Sequence, residues 1–143
     1  MKTSTLSSFQ QISLYWLPLI LYSSLIVFLS SLSHPEDHFF DPFFFGMRND
    51  KVAHAIEYGI LGILYLRAFQ GGLGKTSLAY PALWAIMAAT LFGMSDEMHQ
   101  YFVPNREMDI WDVLADFTGA TLGIVPWQYF QRTRKGFDSH SAP

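Results

Sequence analysis

Three ionisable side chains, Lys51, His54 and Glu57, follow one another at three-residue intervals in this chain of 143 residues. Residues three apart share one face of an α-helix, so these side chains point in the same direction. A histidine and a carboxylate at this spacing can hold a metal ion between helices, or the imidazole can act as a general base on water. The same spacing also arises often by chance, so by itself it selects neither chemistry.

A second set of polar side chains follows, and carboxylates are its majority. Its members are Asp96, Glu97, Gln100, Arg106, Asp112 and Asp116. Asp112 and Asp116 share a helical face with the small residues Ala115, Gly119 and Gly123. Small residues at this spacing let two membrane helices approach closely, so both carboxylates are predicted to point into a helical bundle. Because carboxylates outnumber cations over both sets, at least one carboxylate is expected to be protonated or to bind a cation.

The helices that must position these side chains are predicted to span a membrane. Only 15% of the residues are charged, against roughly 25% in soluble domains, and most charges fall within residues 36–57 and 96–116. Apolar stretches before, between and after these blocks are about long enough to cross a hydrocarbon core of about 30 Å. The sequence therefore predicts an all-α bundle of four transmembrane helices, at about 12–32, 52–69, 78–95 and 112–130.

Lysine and arginine near the helix ends predict the orientation of this bundle. With four spans, both termini and the second loop share one side, and that side holds Lys2, Arg67, Lys75, Arg132, Arg134 and Lys135. Basic loops stay in the cytoplasm, so both termini are predicted to be cytoplasmic and both polar sets to lie toward the outer face. The phenylalanine-rich segment 39–45 is predicted to anchor in the outer interface or to fold over the site as a lid.

Composition and motifs exclude several classes of function. The chain has no cysteine, which excludes a thiol nucleophile, a disulfide framework and thiolate metal ligands. A net charge of −3 gives no reason to expect nucleic acid as a partner. The chain also has no Gly-x-Ser-x-Gly motif, phosphate-binding loop or dinucleotide fingerprint. The predicted partner is the lipid bilayer, and oligomerisation is left open.

Three motifs occur in a fixed order: Lys51-x-x-His54-x-x-Glu57-Tyr58-x-x-Leu61-Gly62, then Ser95-Asp96-Glu97-x-x-Gln100-x-Phe102-x-Pro104-x-Arg106, then Asp112-x-x-Ala115-x-x-x-Gly119. This pattern, within about residues 49–123, resembles the VanZ-like family of small bacterial multi-pass membrane proteins. The resemblance implies one VanZ-like domain over residues 1–143, located in the bacterial cytoplasmic membrane. The family is named for a member associated with resistance to the glycopeptide teicoplanin.

Two positions depart from the pattern of that family. Asn105 stands between Pro104 and Arg106, where the family usually has glycine. Asparagine tolerates a left-handed backbone conformation, so the turn is expected to be kept. Asp116 stands where the family usually has asparagine, which adds a titratable group and puts in doubt any role that needs a neutral amide.

The resemblance implies little about mechanism, and several functions stay open. In the favoured one, an outer-leaflet polar pocket binds or modulates an amphiphile, such as a lipid-linked cell-wall precursor or a lipoglycopeptide. Lys51 and Arg106 would contact the anionic groups of the amphiphile. Teicoplanin fits this hypothesis because it bears a fatty acyl tail. The alternatives are an intramembrane hydrolase or transferase and a structural polar network without catalysis. Transport would require an oligomer.

The predicted functional cluster comprises Lys51, His54, Glu57, Asp96, Glu97, Gln100, Arg106, Asp112 and Asp116. No resident cofactor is predicted, although a divalent metal is left open, with His54, Glu57, Glu97 and Asp112 as its candidate ligands. Catalysis is left undecided and its absence is favoured. Outside the cluster, His99 is expected to pack or to form a hydrogen bond, and Asp109 is expected to face solvent.

Overall fold

The computed structural model describes residues 7–32, 50–72 and 79–140, and these residues form helices joined by turns, with no strand among them. The helices are α1 (Ser8–Ser30), α2 (Asp50–Gly71), α3 (Pro81–Gln100) and α4 (Ile110–His140). Each overlaps one of the four predicted helices, although α3 ends five residues and α4 ten residues beyond the predicted bounds. The all-α prediction is confirmed. Leu78 and the phenylalanine-rich segment 39–45 lie outside the described residues.

Helix α1 is continuous but widens near its start into a π-helical turn over Ile12–Trp16. Pro18 accounts for this turn, because proline has no N–H to donate to the carbonyl group four residues earlier. Just before it, the N–H of Leu17 donates to the carbonyl oxygen of Ile12, five residues back. The helix then continues regularly to Ser30.

Helices α1 and α2 are long and apolar enough to cross a membrane. The candidate spans are Ser8–Ser30, with a mean hydropathy of 2.0, and Lys51–Gly71, with a mean hydropathy of 1.3. Helix α1 leaves large apolar side chains exposed, among them Phe9, Leu21 and Phe28. Water would penalise an apolar surface of this extent, whereas the hydrocarbon interior of a bilayer accepts it.

Helix α2 contacts α4 more extensively than any other helix. A Cβ at Gly119 would overlap the backbone carbonyl oxygen of Ala55, and a Cβ at Gly123 would lie 2.5 Å from the carbonyl oxygen of Gly59. Only glycine fits at either position, because the opposing atoms belong to the backbone. The close approach predicted from the small-residue stripe of α4 is therefore confirmed.

Helix α3 packs against both α2 and α4, and α1 packs against α2. The main apolar core draws residues from all four helices: Leu19, Ile26, Tyr58, Leu61, Ala68, Ala89 and Ala120. Because α3 runs antiparallel to its two neighbours, its C-terminal end lies beside the N-terminal ends of α2 and α4. The polar side chains are concentrated at this end of the bundle.

Candidate functional site

His54 of α2, Glu97 of α3 and Asp112 of α4 converge at this polar end. Their exposed fractions are 6%, 2% and 4%. Each offers one nitrogen or oxygen atom that lies within 4.8 Å of the corresponding atoms of the other two. We call these three residues the polar centre. Three ionisable side chains buried together require hydrogen bonds, counter-charges or a bound ligand to offset the loss of hydration.

Lys51 joins the start of α2 to the start of α4. Its Nζ lies 2.6 Å from Oδ2 of Asp109 and 2.7 Å from Oδ1 of Asp112. The Asp112 side chain is 5% exposed, whereas that of Asp109 is 37% exposed. The hydrogen bond from Lys51 holds the pKa of the Asp109 carboxyl below its ordinary value, so this group is ionised at neutral pH. Asp109, expected only to face solvent, is thus also an ion-pair partner.

Asp116 is the direct partner of His54. Its Oδ1 lies 2.9 Å from Nδ1 of His54, and the imidazole ring stacks in parallel on the ring of Tyr58. The second carboxylate oxygen lies against Gly93 of α3, where a Cβ would overlap it. A buried carboxylate at this position fixes the orientation of an imidazole ring and the nitrogen that carries its proton.

Buried polar atoms without a hydrogen-bond partner occur in the polar centre and in the two residues that contact His54. Within the described residues, Oε1 of Glu97, Oδ2 of Asp116 and the hydroxyl of Tyr58 have none. The other oxygen of Glu97 accepts a hydrogen bond from the backbone N–H of Asp109 at 2.9 Å. An unsatisfied buried polar group costs about 1–3 kcal/mol. The unpartnered oxygen of Glu97 therefore indicates a position that accommodates a further polar group.

Asp96 and Gln100 form a separate network that ties α3 to the end of α1. The hydroxyl of Ser30 donates to Oδ1 of Asp96 at 2.6 Å, and Nε2 of Gln100 donates to Oδ2 at 3.1 Å. Nearby, Nε2 of His99 lies 2.9 Å from the hydroxyl oxygen of Ser31, which confirms the hydrogen-bonding role expected for His99. The two serines were not predicted. The sequence feature that could have indicated them is a pair of serines at the end of an apolar helix. Serine hydroxyl groups in membrane helices commonly form hydrogen bonds to a neighbouring helix.

Glu57 and Arg106 do not join the polar centre. Glu57 is half-buried, and its backbone carbonyl accepts a hydrogen bond from the hydroxyl of Tyr22 at 3.4 Å. Arg106 lies in the link between α3 and α4, and within the described residues it forms no salt bridge. Asn105 beside it has a φ of 62°, the left-handed conformation expected where the family usually has glycine.

An apolar groove of about 640 Å³ follows the contact between α2 and α4. It begins at Lys51 and Trp111 and continues past Gly59 and Gly119 to Leu122. Exposed apolar side chains form its walls, and the glycines, which have no side chain, make it deeper along its centre. Lys51 therefore lines one end of the groove and also pairs with Asp112 of the polar centre. A groove of this shape suits an acyl chain whose polar group lies at one end.

Comparison with known families gives one finding. The family model described as VanZ/LLP1 matches residues 2–131. No curated protein and no solved structure gives a match.

Proposed function

The chain belongs to the VanZ/LLP1 family, and we propose that this envelope protein binds or modulates an amphiphilic envelope component at the polar end of its bundle. The amphiphile is a lipid-linked cell-wall precursor or a lipoglycopeptide of the teicoplanin type. The observation that carries this proposal is the groove along α2 and α4, which leads from the exposed side of the two helices to Lys51.

The proposed topology has four spans in the bacterial cytoplasmic membrane, with both termini in the cytoplasm. Helix α3 has 20 residues and α4 has 31, and at 1.5 Å per residue both reach across about 30 Å of hydrocarbon. The buried carboxylates of α3 and α4 lie at the end that these helices share with Lys51: Asp96, Glu97, Asp112 and Asp116. Arg67 and Arg134 lie at the opposite end, where they border a second groove. The positive-inside rule then puts the polar centre in the outer half of the membrane.

Cysteine labelling tests this topology, and the chain suits it because it has no cysteine. Glu107→Cys is expected to react with a membrane-impermeant thiol reagent in intact cells, since Glu107 is exposed in the link before α4. Thr133→Cys, exposed far along α4, is expected to react only after lysis. The reversed labelling pattern would overturn the orientation, and labelling of both sites in intact cells would exclude a spanning α4.

The headgroup of the amphiphile is expected to meet Lys51. The Asp109–Lys51 pair is partly exposed, and exposed ion pairs contribute only about 0–1 kcal/mol. An anionic headgroup can therefore replace Asp109 while Asp112 keeps its buried position. An acyl chain in the bilayer already lies in hydrocarbon, so the groove contributes shape and packing rather than hydrophobic free energy. Selectivity for the ligand then rests mainly on the charged end of the groove.

Binding of teicoplanin and of a polyprenyl phosphate to the detergent-purified protein tests this proposal. Lys51→Gln is expected to weaken binding about tenfold, because it removes a charge-assisted hydrogen bond. Asp109→Asn is expected to strengthen binding, because it removes the competing carboxylate. Arg132→Gln, exposed at the other end of α4, is the matched control and should change nothing. Equal affinities for Lys51→Gln and Arg132→Gln would refute the headgroup site. Equal binding of teicoplanin and of its deacylated form would refute the groove as the site of the acyl chain.

A hydrolase or transferase is the second candidate function, and the His54–Asp116 bond favours it. In such an enzyme, the imidazole would take a proton from water or a substrate hydroxyl, and Asp116 would stabilise the imidazolium. Mass spectrometry of the lipid recovered from the same binding mixtures distinguishes the two candidates. Conversion that is lost in Asp116→Asn supports the enzyme, whereas unchanged lipid supports a binding protein.

A further inference from the structure

The polar centre has the donor set and the geometry of a metal site. His54, Glu97 and Asp112 come from three different helices, and their ligand atoms all lie within 4.8 Å of one another. Nitrogen and oxygen ligands lie about 2.0–2.2 Å from a metal such as Zn²⁺. Closing the three side chains onto one ion therefore takes movements of about 1 Å, which side-chain torsions supply. We propose that these three residues bind a divalent transition-metal ion that joins α2, α3 and α4.

An independent observation points to a ligand at this position. Oε1 of Glu97 is buried without a hydrogen-bond partner among the described residues, in a side chain that is only 2% exposed. No lysine or arginine of the described residues forms a salt bridge with this carboxylate. An uncompensated carboxylate in the interior of a membrane protein is costly. A divalent cation would supply the missing charge and coordinate the unpartnered oxygen.

Asp116 has the position of a supporting carboxylate for a metal-bound histidine. Histidine ligands usually bond through their second ring nitrogen to a carboxylate or a carbonyl group, which fixes the ring and raises its basicity. With Nδ1 of His54 bonded to Asp116, Nε2 is the nitrogen that would bind the metal. This role also gives a physical reason for an aspartate at position 116, because a carboxylate is a stronger acceptor than an amide.

The ligand chemistry defines the class of metal. One imidazole and two carboxylates suit Zn²⁺ or Mn²⁺, whereas Ca²⁺ and Mg²⁺ prefer oxygen ligands alone. Three protein ligands leave a coordination position for water or for an oxygen of a bound molecule. The site lies next to Lys51 but goes beyond the proposed function, because metal binding requires no amphiphile.

Zinc titration of the purified, chelator-treated protein tests the site by calorimetry and by thermal shift. The wild type is expected to bind one equivalent of Zn²⁺ per chain and to gain thermal stability with rising Zn²⁺, as a ligand of the folded state does. Glu97→Gln is expected to bind at least about 100-fold more weakly while keeping its acceptor for the Asp109 N–H. Asp112→Asn serves the same purpose if Glu97→Gln does not fold. Glu57→Gln, which alters a carboxylate outside the triad on the helix of His54, should bind as tightly as the wild type.

Two results would overturn the metal site. The first is equal zinc binding by Glu97→Gln and Glu57→Gln, which would make the binding adventitious. The second is an infrared band of a protonated carboxyl group that persists in excess Zn²⁺ and disappears in Glu97→Gln, which would show that a proton neutralises Glu97. The metal proposal and the amphiphile proposal can each be refuted without the other. Lys51→Gln should lose amphiphile affinity and keep zinc, whereas Glu97→Gln should lose zinc in the absence of any amphiphile.

Discussion

Replacing Gly119 by alanine is expected to destabilise the protein by about 3 kcal/mol, the upper part of the range for overpacked cores. The added Cβ would overlap the carbonyl oxygen of Ala55 and lie 2.6 Å from its Cα. These are backbone atoms, so no side-chain rotation can relieve the clash and α2 must move away from α4. The same movement would lengthen the bonds from Lys51 to Asp112 and from His54 to Asp116. Loss of stability and loss of the polar centre should therefore occur together.

Thermal unfolding in detergent measures this effect, and the facing helix provides a matched control. A Cβ at Gly59 would lie 3.3 Å from the carbonyl oxygen of Gly119, a tight contact that small adjustments can relieve. Gly59→Ala is thus expected to cost clearly less than Gly119→Ala. Thr118→Ala, at an exposed neighbouring position, should be nearly neutral. Equal stability of Gly119→Ala and Thr118→Ala would show that α2 and α4 are not in close backbone contact.

Replacing His54 by alanine is expected to have the second large effect, a loss of about 3 kcal/mol. The change leaves the fully buried Asp116 without the ring nitrogen that lies 2.9 Å from its Oδ1. It also removes the ring that stacks on Tyr58. Removing one partner of a buried pair is more damaging than removing both, since the remaining charge loses its compensation. Thermal unfolding of His54→Ala, Asp116→Ala and the double variant measures this coupling.

The double variant should be more stable than the sum of the single effects predicts, by about 1–3 kcal/mol. Asp116→Asn is the mild control, because an amide can still hydrogen-bond to the imidazole and asparagine is the residue usual in the family. Strictly additive effects would argue against a direct His54–Asp116 interaction. If the polar side chains form only a structural network, Lys51→Gln and Glu97→Gln should also lose stability, without a selective loss of amphiphile or zinc binding.

The sequence by itself determined the features that follow from local periodicity. The four helices, the shared face of Asp112 and Asp116, and the close approach at Gly119 depend on spacings of three and four residues along one chain segment. The left-handed turn at Asn105 likewise depends on the tolerance of asparagine for that conformation. Membership of the VanZ/LLP1 family also followed from motifs that can be read along the chain.

Only the tertiary structure decided which polar side chains meet. Neighbouring residues on a helix differ by about 100° in direction, so the rotation of α3 decides that Asp96 bonds to Ser30 of α1 while Glu97 reaches the polar centre. Lys51 forms an ion pair with Asp109, although the two residues are 58 positions apart in the sequence. That rotation is set by the packing of whole helices against one another, and no spacing within a single segment contains it. For the same physical reason, the sequence named four candidate ligands, His54, Glu57, Glu97 and Asp112, and could not select among them. The folded bundle brings His54, Glu97 and Asp112 together.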